Sequence, residues 1–165
     1  MKFCEMPYTR PDIDETKKSF DSLTERLASA KSYADAKEVF LEEQKLEKHI
    51  DTLVNLVSIR HSVNTRDKFY DEEKNFWNGA MPELQEYMQK WTGAMLATPF
   101  REDFSAEYGD LMFVNAEISL KAFSPEIIPE LQRENELVQE YEKLLASAQI
   151  PFEGGAYTLS QLSPF

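Results

Sequence analysis

One cysteine, two histidines and five glycines among 165 residues rule out several kinds of chemistry. Cys4 has no partner for an internal disulfide, which fits a reducing compartment. A hydrolytic zinc site needs two histidines one helical turn apart, with a glutamate beside the first, so that ligands and base share one face. His49 and His61 are twelve residues apart. At ~100° per residue they point about 120° away from each other on one helix and cannot share a metal. Positions 46 and 58 hold leucine and serine, so the Glu-x-x-His pattern of di-iron bundles is missing too. With glycine this scarce there is no Gly-x-Gly-x-x-Gly, no Walker-type loop and no Gly-x-Ser-x-Gly elbow.

Positive charge is also short. Eighteen Lys and Arg face thirty Asp and Glu, giving a formal charge of -12 and a pI near 4.6. Phosphate backbones are held by Lys and Arg, so a nucleic-acid partner is not expected. No apolar run approaches the ~20 residues that cross a bilayer. The start, MKFCEMPYTRP, carries Glu5 and Pro7 where a signal peptide would have its apolar stretch. The expectation is a cytoplasmic protein with no membrane partner.

What is present is helix. Pro11 followed by Asp12, Asp14 and Glu15 suits a helix start, and Ile13, Phe20, Leu23, Leu27 and Ala30 recur on one face. Ser32 reads as the next N-cap, with Asp35 an imperfect capping-box partner. The stripe Ala36, Val39, Phe40, Leu46, Ile50, Leu53 and Val57, extended to Val63, predicts a helix of about 30 residues, roughly 45 Å long. Asn64 or Thr65 is the expected cap of a third helix bearing Phe69, Phe76, Trp77, Met81, Leu84, Met88, Trp91 and Met95. Pro82 removes a backbone donor from it, so a kink is expected between Gly79 and Pro82. Thr98-Pro99 opens a short fourth helix that Gly109 stops. A fifth, about 110–123, carries Leu111, Phe113, Val114, Ile118, Leu120 and Phe123 as its apolar set. Ser124-Pro125 starts a sixth that reaches Ala148, with Pro129 early enough to be tolerated. The predicted fold is all-α: an antiparallel array of about six helices over 1–148.

From Gln149 the pattern changes. Ile150 and Phe152 lead into Gly154-Gly155, after which Tyr157, Leu159 and Gln161 alternate with Thr158, Ser160 and Leu162. Two period-two runs around a glycine pair predict a β-hairpin over 149–165. A lone hairpin is marginal in water and leaves open edges. Because the run stops on apolar Phe165, its other strands or covering layer are expected beyond the chain, and a homodimer through the exposed edge is expected of the chain alone.

The polar candidates are weak as catalysts. Glu42/Glu43, Glu72/Glu73 and Glu102/Asp103 read as solvated faces of an acidic protein. Ile59 to Asp67 reads as a helix end whose cations suit the dipole, followed by a cap. Trp77, Trp91 and Tyr87 offer a stacking surface, but their spacing of seven and fourteen suits a core stripe better. Cys4 has no nearby histidine in sequence to activate it. No catalytic, cofactor-binding or metal-ligating residue emerges.

Four stretches resemble a known family: MPYTRPDID, SIRHSVNTRDKFYDEE, FVNAEISLKAFSPE and FSPEIIPELQRENELVQEYEKLLASAQIPFEGGAYTLSQL. Together they resemble bacterial oligoendopeptidase F, of peptidase family M3, close to the thimet-oligopeptidase group. The resemblance implies a longer, largely helical parent that uses zinc to cut short peptides in a deep cleft. Its ligands are implied to come from a His-Glu-x-x-His helix and a further downstream Glu, none of which has a counterpart here. It implies that 1–148 is the helical N-terminal domain, which walls the cleft and binds no zinc itself. It implies that 149–165 is a connector toward the catalytic domain. The alternative is an independent helical interaction module docking through its hairpin edge.

Overall fold

The computed structural model describes residues 3–122 and 124–162; Phe123 and Phe165, and the side chain of Cys4, lie outside the described part. A 3-10 turn at Phe3–Glu5 precedes α1 (Ile13–Ala28), α2 (Tyr33–Val63), α3 (Lys68–Ala97), α4 (Arg101–Tyr108) and α5 (Leu111–Ala122). A second 3-10 turn, Pro125–Ile127, runs into α6 (Ile128–Ser147). Strands β1 (Ile150–Phe152) and β2 (Gly155–Tyr157) and one closing turn, α7 (Leu159–Leu162), follow. The predicted all-α array with a small C-terminal hairpin is the observed architecture.

Local chemistry sets most of the helix starts. Asp12 caps α1 by accepting from the Glu15 amide (3.0 Å), and Ser32 caps α2 by accepting from the Asp35 amide (3.1 Å). The cap of α3 is Asp67, not Asn64 or Thr65: its carboxylate takes the amides of Phe69 and Tyr70. Asn64 instead ends α2, and its side chain accepts from the Arg66 amide, closing the turn between the two helices. Thr98 likewise ends α3, so α4 starts after Phe100 rather than at Pro99.

The first three helices run up, down and up, and their apolar stripes meet in two clusters. Near one end Phe20 packs with Ile50, Leu53 and Val57 of α2 and with Trp77, Ala80 and Leu84 of α3. Near the other, Leu23 and Leu27 pack with Ala36, Val39, Phe40, Trp91 and Met95, closed by Phe104 of α4 and Phe113 of α5. Leu46 touches both clusters. Each fully buried Leu, Ile or Phe contributes about 1.5–3 kcal/mol. Trp77 and Trp91 lie in this core, as their spacing predicts. Phe69 and Val63, placed on the stripes by periodicity, are exposed. So are Leu111, Val114 and Ile118 of α5, of which only Phe113 is buried.

The hairpin is shorter than its pattern suggests. Pairing covers Ile150↔Tyr157, Pro151↔Ala156 and Phe152↔Gly155. Glu153 (φ 46°) and Gly154 (φ 82°) form the two-residue turn, both left-handed, as a twist-matched hairpin needs. Gly155 is therefore a strand residue, and a Cβ there would fall 2.7 Å from the Tyr157 ring. The second run does not continue as a strand. The Thr158 hydroxyl accepts from the Gln161 amide (3.3 Å) and Gln161 Oε1 accepts from the Thr158 amide (2.9 Å). This reciprocal capping box turns 159–162 into helix. The alternation of Leu159 and Gln161 was a false strand signal.

Candidate functional site

Much of the polar side-chain bonding gathers at one end of the α2–α3 pair. The extended segment before α1 is tied there by Tyr8 and Arg10. Arg10 forks onto the Glu73 carboxylate, with Nε at 3.1 and 3.0 Å and Nη2 at 2.7 Å, and Tyr8 donates its hydroxyl to the same group. The Tyr8 oxygen in turn accepts from the Trp77 indole N–H (3.1 Å). The Glu73 side chain is only 6% exposed. Burial alone would raise its pKa, but the Arg10 guanidinium and the Tyr8 hydroxyl outweigh it and hold the carboxyl below its ordinary 4.5. Burial, with Glu73 as neighbour, pushes the Tyr8 phenol up.

Arg60 and His61, at the end of α2, complete the clamp. Arg60 donates to the Tyr70 hydroxyl (2.7 Å) and to the carbonyls of Met6 (2.7 Å) and Phe3 (3.0 Å), and stacks over the Tyr70 ring. His61, 1% exposed, shares a 3.3 Å hydrogen bond through Nε2 with Asp71 Oδ1. The tract from Ile59 to Asp67 thus does more than end a helix and start another.

Helix α6 docks on α3 through polar groups. Pro82 offers no N–H to the Asn78 carbonyl, and Asn135 supplies one from α6 (3.3 Å). Gln132 donates to the next carbonyl, Gly79 (3.0 Å). The Asn78 amide donates to Gln139 Oε1, and Gln139 Nε2 donates to Asp71 Oδ1 (3.0 Å). Lys143 pairs with the same Asp71 oxygen. Burial would raise the Asp71 pKa, but Lys143, Gln139 and His61 outweigh it and hold it below the ordinary 3.8. Residues 132, 135, 139 and 143 repeat every three or four positions, so they occupy one helix face. Helix α3 is a single element through Pro82, with its freed carbonyl satisfied from outside. Sequence reading expected a kink there and missed the donor. The signal available was the polar stripe on α6 together with the orphan carbonyl that Pro82 creates.

Helix α6 also carries charged residues at its surface, Arg133, Glu136 and Glu140 among them, and a set of open apolar ones. Leu137, Val138, Tyr141, Leu144 and Leu145 are exposed, Leu144 by 67%, and on α5 so are Leu111 (67%), Val114 and Ile118. Phe152 and Leu159 extend the exposed apolar set through the hairpin. Eleven of the seventeen exposed large hydrophobic side chains among the described residues lie after residue 110. Only Phe113 of the buried hydrophobic residues does. Exposed apolar side chains are thus concentrated, among the described residues, in the part of the chain after residue 110.

Two of the three acidic pairs split. Glu43 and Glu73 are buried beside solvent-reaching Glu42 and Glu72, while Glu102 and Asp103 both reach solvent. Adjacent helix positions differ by ~100°, so one member of a pair can turn inward while the other stays outside. The solvated reading fails for Glu43 and Glu73. His49 is exposed, and His61 is engaged by Asp71. Among the described residues no group of three or more His, Cys, Asp or Glu is arranged to hold a metal. The donor set does not fit zinc. What the junction can do chemically is orient and hold: its carboxylates are filled by donors, and among the described residues none is a nucleophile set beside a base.

Three comparisons bear on this geometry. The Peptidase M3 N-terminal domain model matches residues 3–123. The whole fold superposes on solved structures of much longer chains. A protein designated oligoendopeptidase F, solved at 3.1 Å, is 38% identical with a TM-score of 0.96; the match covers 100% of this chain and 29% of that one. A second so designated, from Bacillus anthracis strain Ames, is 42% identical with a TM-score of 0.95 and coverages of 100% and 30%. PZ peptidase A, solved with an inhibitor, is 36% identical with a TM-score of 0.95 and coverages of 99% and 29%. The chain thus spans under a third of the length of these structures. No curated protein matches it. The stretches MPYTRPDID, SIRHSVNTRDKFYDEE and FSPEIIPELQRENELVQEYEK are the ones whose side chains meet at the junction.

Proposed function

The chain belongs to the peptidase M3 family through its N-terminal domain, and on that premise we propose that it is the non-catalytic lobe of a zinc-dependent oligoendopeptidase. In this reading residues 1–148 form the domain that walls a cleft for short peptides, and 149–165 lead toward the catalytic remainder. Zinc and its ligands belong to that remainder. The site of action is the cytoplasm, consistent with there being no described helix long and apolar enough to cross a membrane.

The observation that carries this reading is the set of exposed apolar side chains on α5, α6 and the hairpin. A lobe that packs against further protein needs such a set, and a self-contained helical domain does not. The alternative, an independent module docking by its hairpin edge, rests on strands of three residues each. So short an edge supplies few main-chain hydrogen bonds to a partner.

Two measurements test the proposal. The chain incubated with Zn²⁺ and a quenched short peptide is expected to give no cleavage; chelator-sensitive turnover would overturn the non-catalytic role. The reading frame after Phe165 is expected to encode His-Glu-x-x-His; a stop codon there would favour the interaction module. Sedimentation analysis of the chain alone tests for the homodimer, which the exposed apolar side chains rather than the three-residue strand edge would have to carry.

A further inference from the structure

A cavity of ≈ 250 Å³ lies where α2, α3 and α5 meet, away from the polar junction. Its α3 wall is Met88, Trp91, Thr92 and Met95, and its α5 wall is Met112, Phe113 and Ala116. Neither wall carries a titratable group. The α2 wall differs: beside Phe40 it presents Glu43 and Glu47, one turn apart. Glu43 is 2% exposed. Its hydrogen bond comes from the Gln44 amide nitrogen at 3.1 Å, and the same nitrogen serves Glu47, also at 3.1 Å. Two carboxylates therefore share one neutral donor, and no described ion pair includes either of them.

A buried carboxylate without a cation is costly, and the other buried carboxylate among the described residues shows how this chain deals with the problem. Glu73 has an arginine and a phenol. Glu43 has an apolar chamber in front of it instead. The walls suit the body of an organic cation: Trp91 offers an aromatic face, and Met88, Met95 and Met112 offer polarisable thioethers on flexible stems. A bare metal ion would find two carboxylates and little else, too few oxygen ligands for a hard divalent ion.

We propose that this cavity binds a cationic group carried on an apolar stem, with the Glu43 and Glu47 carboxylates receiving the charge and the Trp91–methionine wall receiving the stem. A free arylalkylamine and the side chain of lysine in a peptide share this chemistry. The site does not depend on the peptidase reading, since it lies wholly within the described helices. Burial, reinforced by Glu47, pushes the Glu43 pKa up to about 7, with the Gln44 amide opposing. Glu47, itself raised by burial and by Asp51, is the one titratable group that shares the cavity with Glu43. Binding a cation thus requires Glu43 to ionise, and below neutral pH releases its proton.

Calorimetry of the 165-residue chain tests this with phenethylammonium, Nα-acetyl-lysine methylamide and neutral n-propylbenzene as probes. At least one of the two cations is expected to bind about tenfold more tightly near pH 8 than near pH 6, following Glu43 ionisation. The arm that binds tells a free amine from a peptide side chain. Glu43→Gln, which keeps shape and folding, is expected to weaken cation binding about tenfold or more and abolish the pH dependence. Ala116→Phe, which fills the cavity and leaves both carboxylates, is expected to remove binding. Circular dichroism of both variants verifies that they fold. Failure of both cations to bind, equal binding by Glu43→Gln, or binding of n-propylbenzene alone would each overturn the proposal.

Discussion

Residues 3–108 and 111–162 follow different rules. In α1–α4 the apolar stripes find one another, and sixteen of the seventeen buried hydrophobic residues described lie there. In α5, α6 and the hairpin the same residue types face outward, while the one buried residue of α6 is Gln139. An amphipathic helix ordinarily turns its apolar face to the core. Helix α6 does the reverse, spending its polar face on α3 and leaving its leucines open. The first region is stabilised by its own burial. The second is anchored largely by the hydrogen bonds of α6 and leaves much of its hydrophobic surface exposed.

The largest expected contrast comes from matched truncations. Leu84→Ala, in the α1–α3 core, should cost about 2–5 kcal/mol in denaturant unfolding, whereas Leu144→Ala should stay within about 0.5 kcal/mol. Equal losses would mean that the face of α6 is covered within the chain itself. Next is the anchor. Gln139→Ala strips Asp71 of a donor and the Asn78 amide of its acceptor, a loss of roughly 2 kcal/mol. Hydrogen exchange should then accelerate throughout α6 while the protection of α1 and α2 holds.

A smaller effect isolates the proline. Pro82→Ala returns an N–H to the Asn78 carbonyl, so Asn135→Ala should cost less in that background. A double-mutant cycle should give a coupling of about 1 kcal/mol, and additive effects would disprove the replacement of the missing bond.

The finest test is the pH dependence of melting. Asp71 and Glu73 have folded pKa values below their unfolded ones. Their contribution is therefore complete above about pH 5 and disappears as pH falls through the folded values. Glu43 has the opposite sign: raised to about 7, it favours folding at acid pH and loses that contribution as pH rises through neutrality. Asp71→Asn should flatten the acid limb of the melting curve, and Glu43→Gln the neutral limb. A neutral limb unchanged in Glu43→Gln would contradict the raised value.

Legibility followed the same divide. Caps at Ser32, the stripe from Ala36 to Val57 and the core placement of Trp77 and Trp91 could be read directly, because each depends on neighbours within a turn or two. The α5 stripe could not. Leu111, Val114 and Ile118 have core periodicity but are exposed. Periodicity shows that a face is apolar, not what covers it. At Thr158–Gln161 the alternation of side chains looked like strand, while a four-residue capping signal pointed to helix and prevailed. For the candidate site, the histidines and the missing motifs were legible as negatives. The inward turn of Glu43 and Glu73 was not, because which member of an adjacent pair faces the core depends on where the neighbouring helices lie.

By itself the sequence determined the helical class, the approximate length and order of the helices, the turn at Gly154 and the scarcity of metal-ligating residues. These follow from short-range sterics, capping and composition. Only the tertiary structure decided that the carbonyl freed by Pro82 is met by Asn135, and that Asp71 gathers His61, Gln139 and Lys143. It alone placed Glu43 before an apolar cavity and left the leucines of α6 uncovered. Each of these joins residues far apart in sequence, and whether a polar group is satisfied or an apolar one covered is a property of the space between helices.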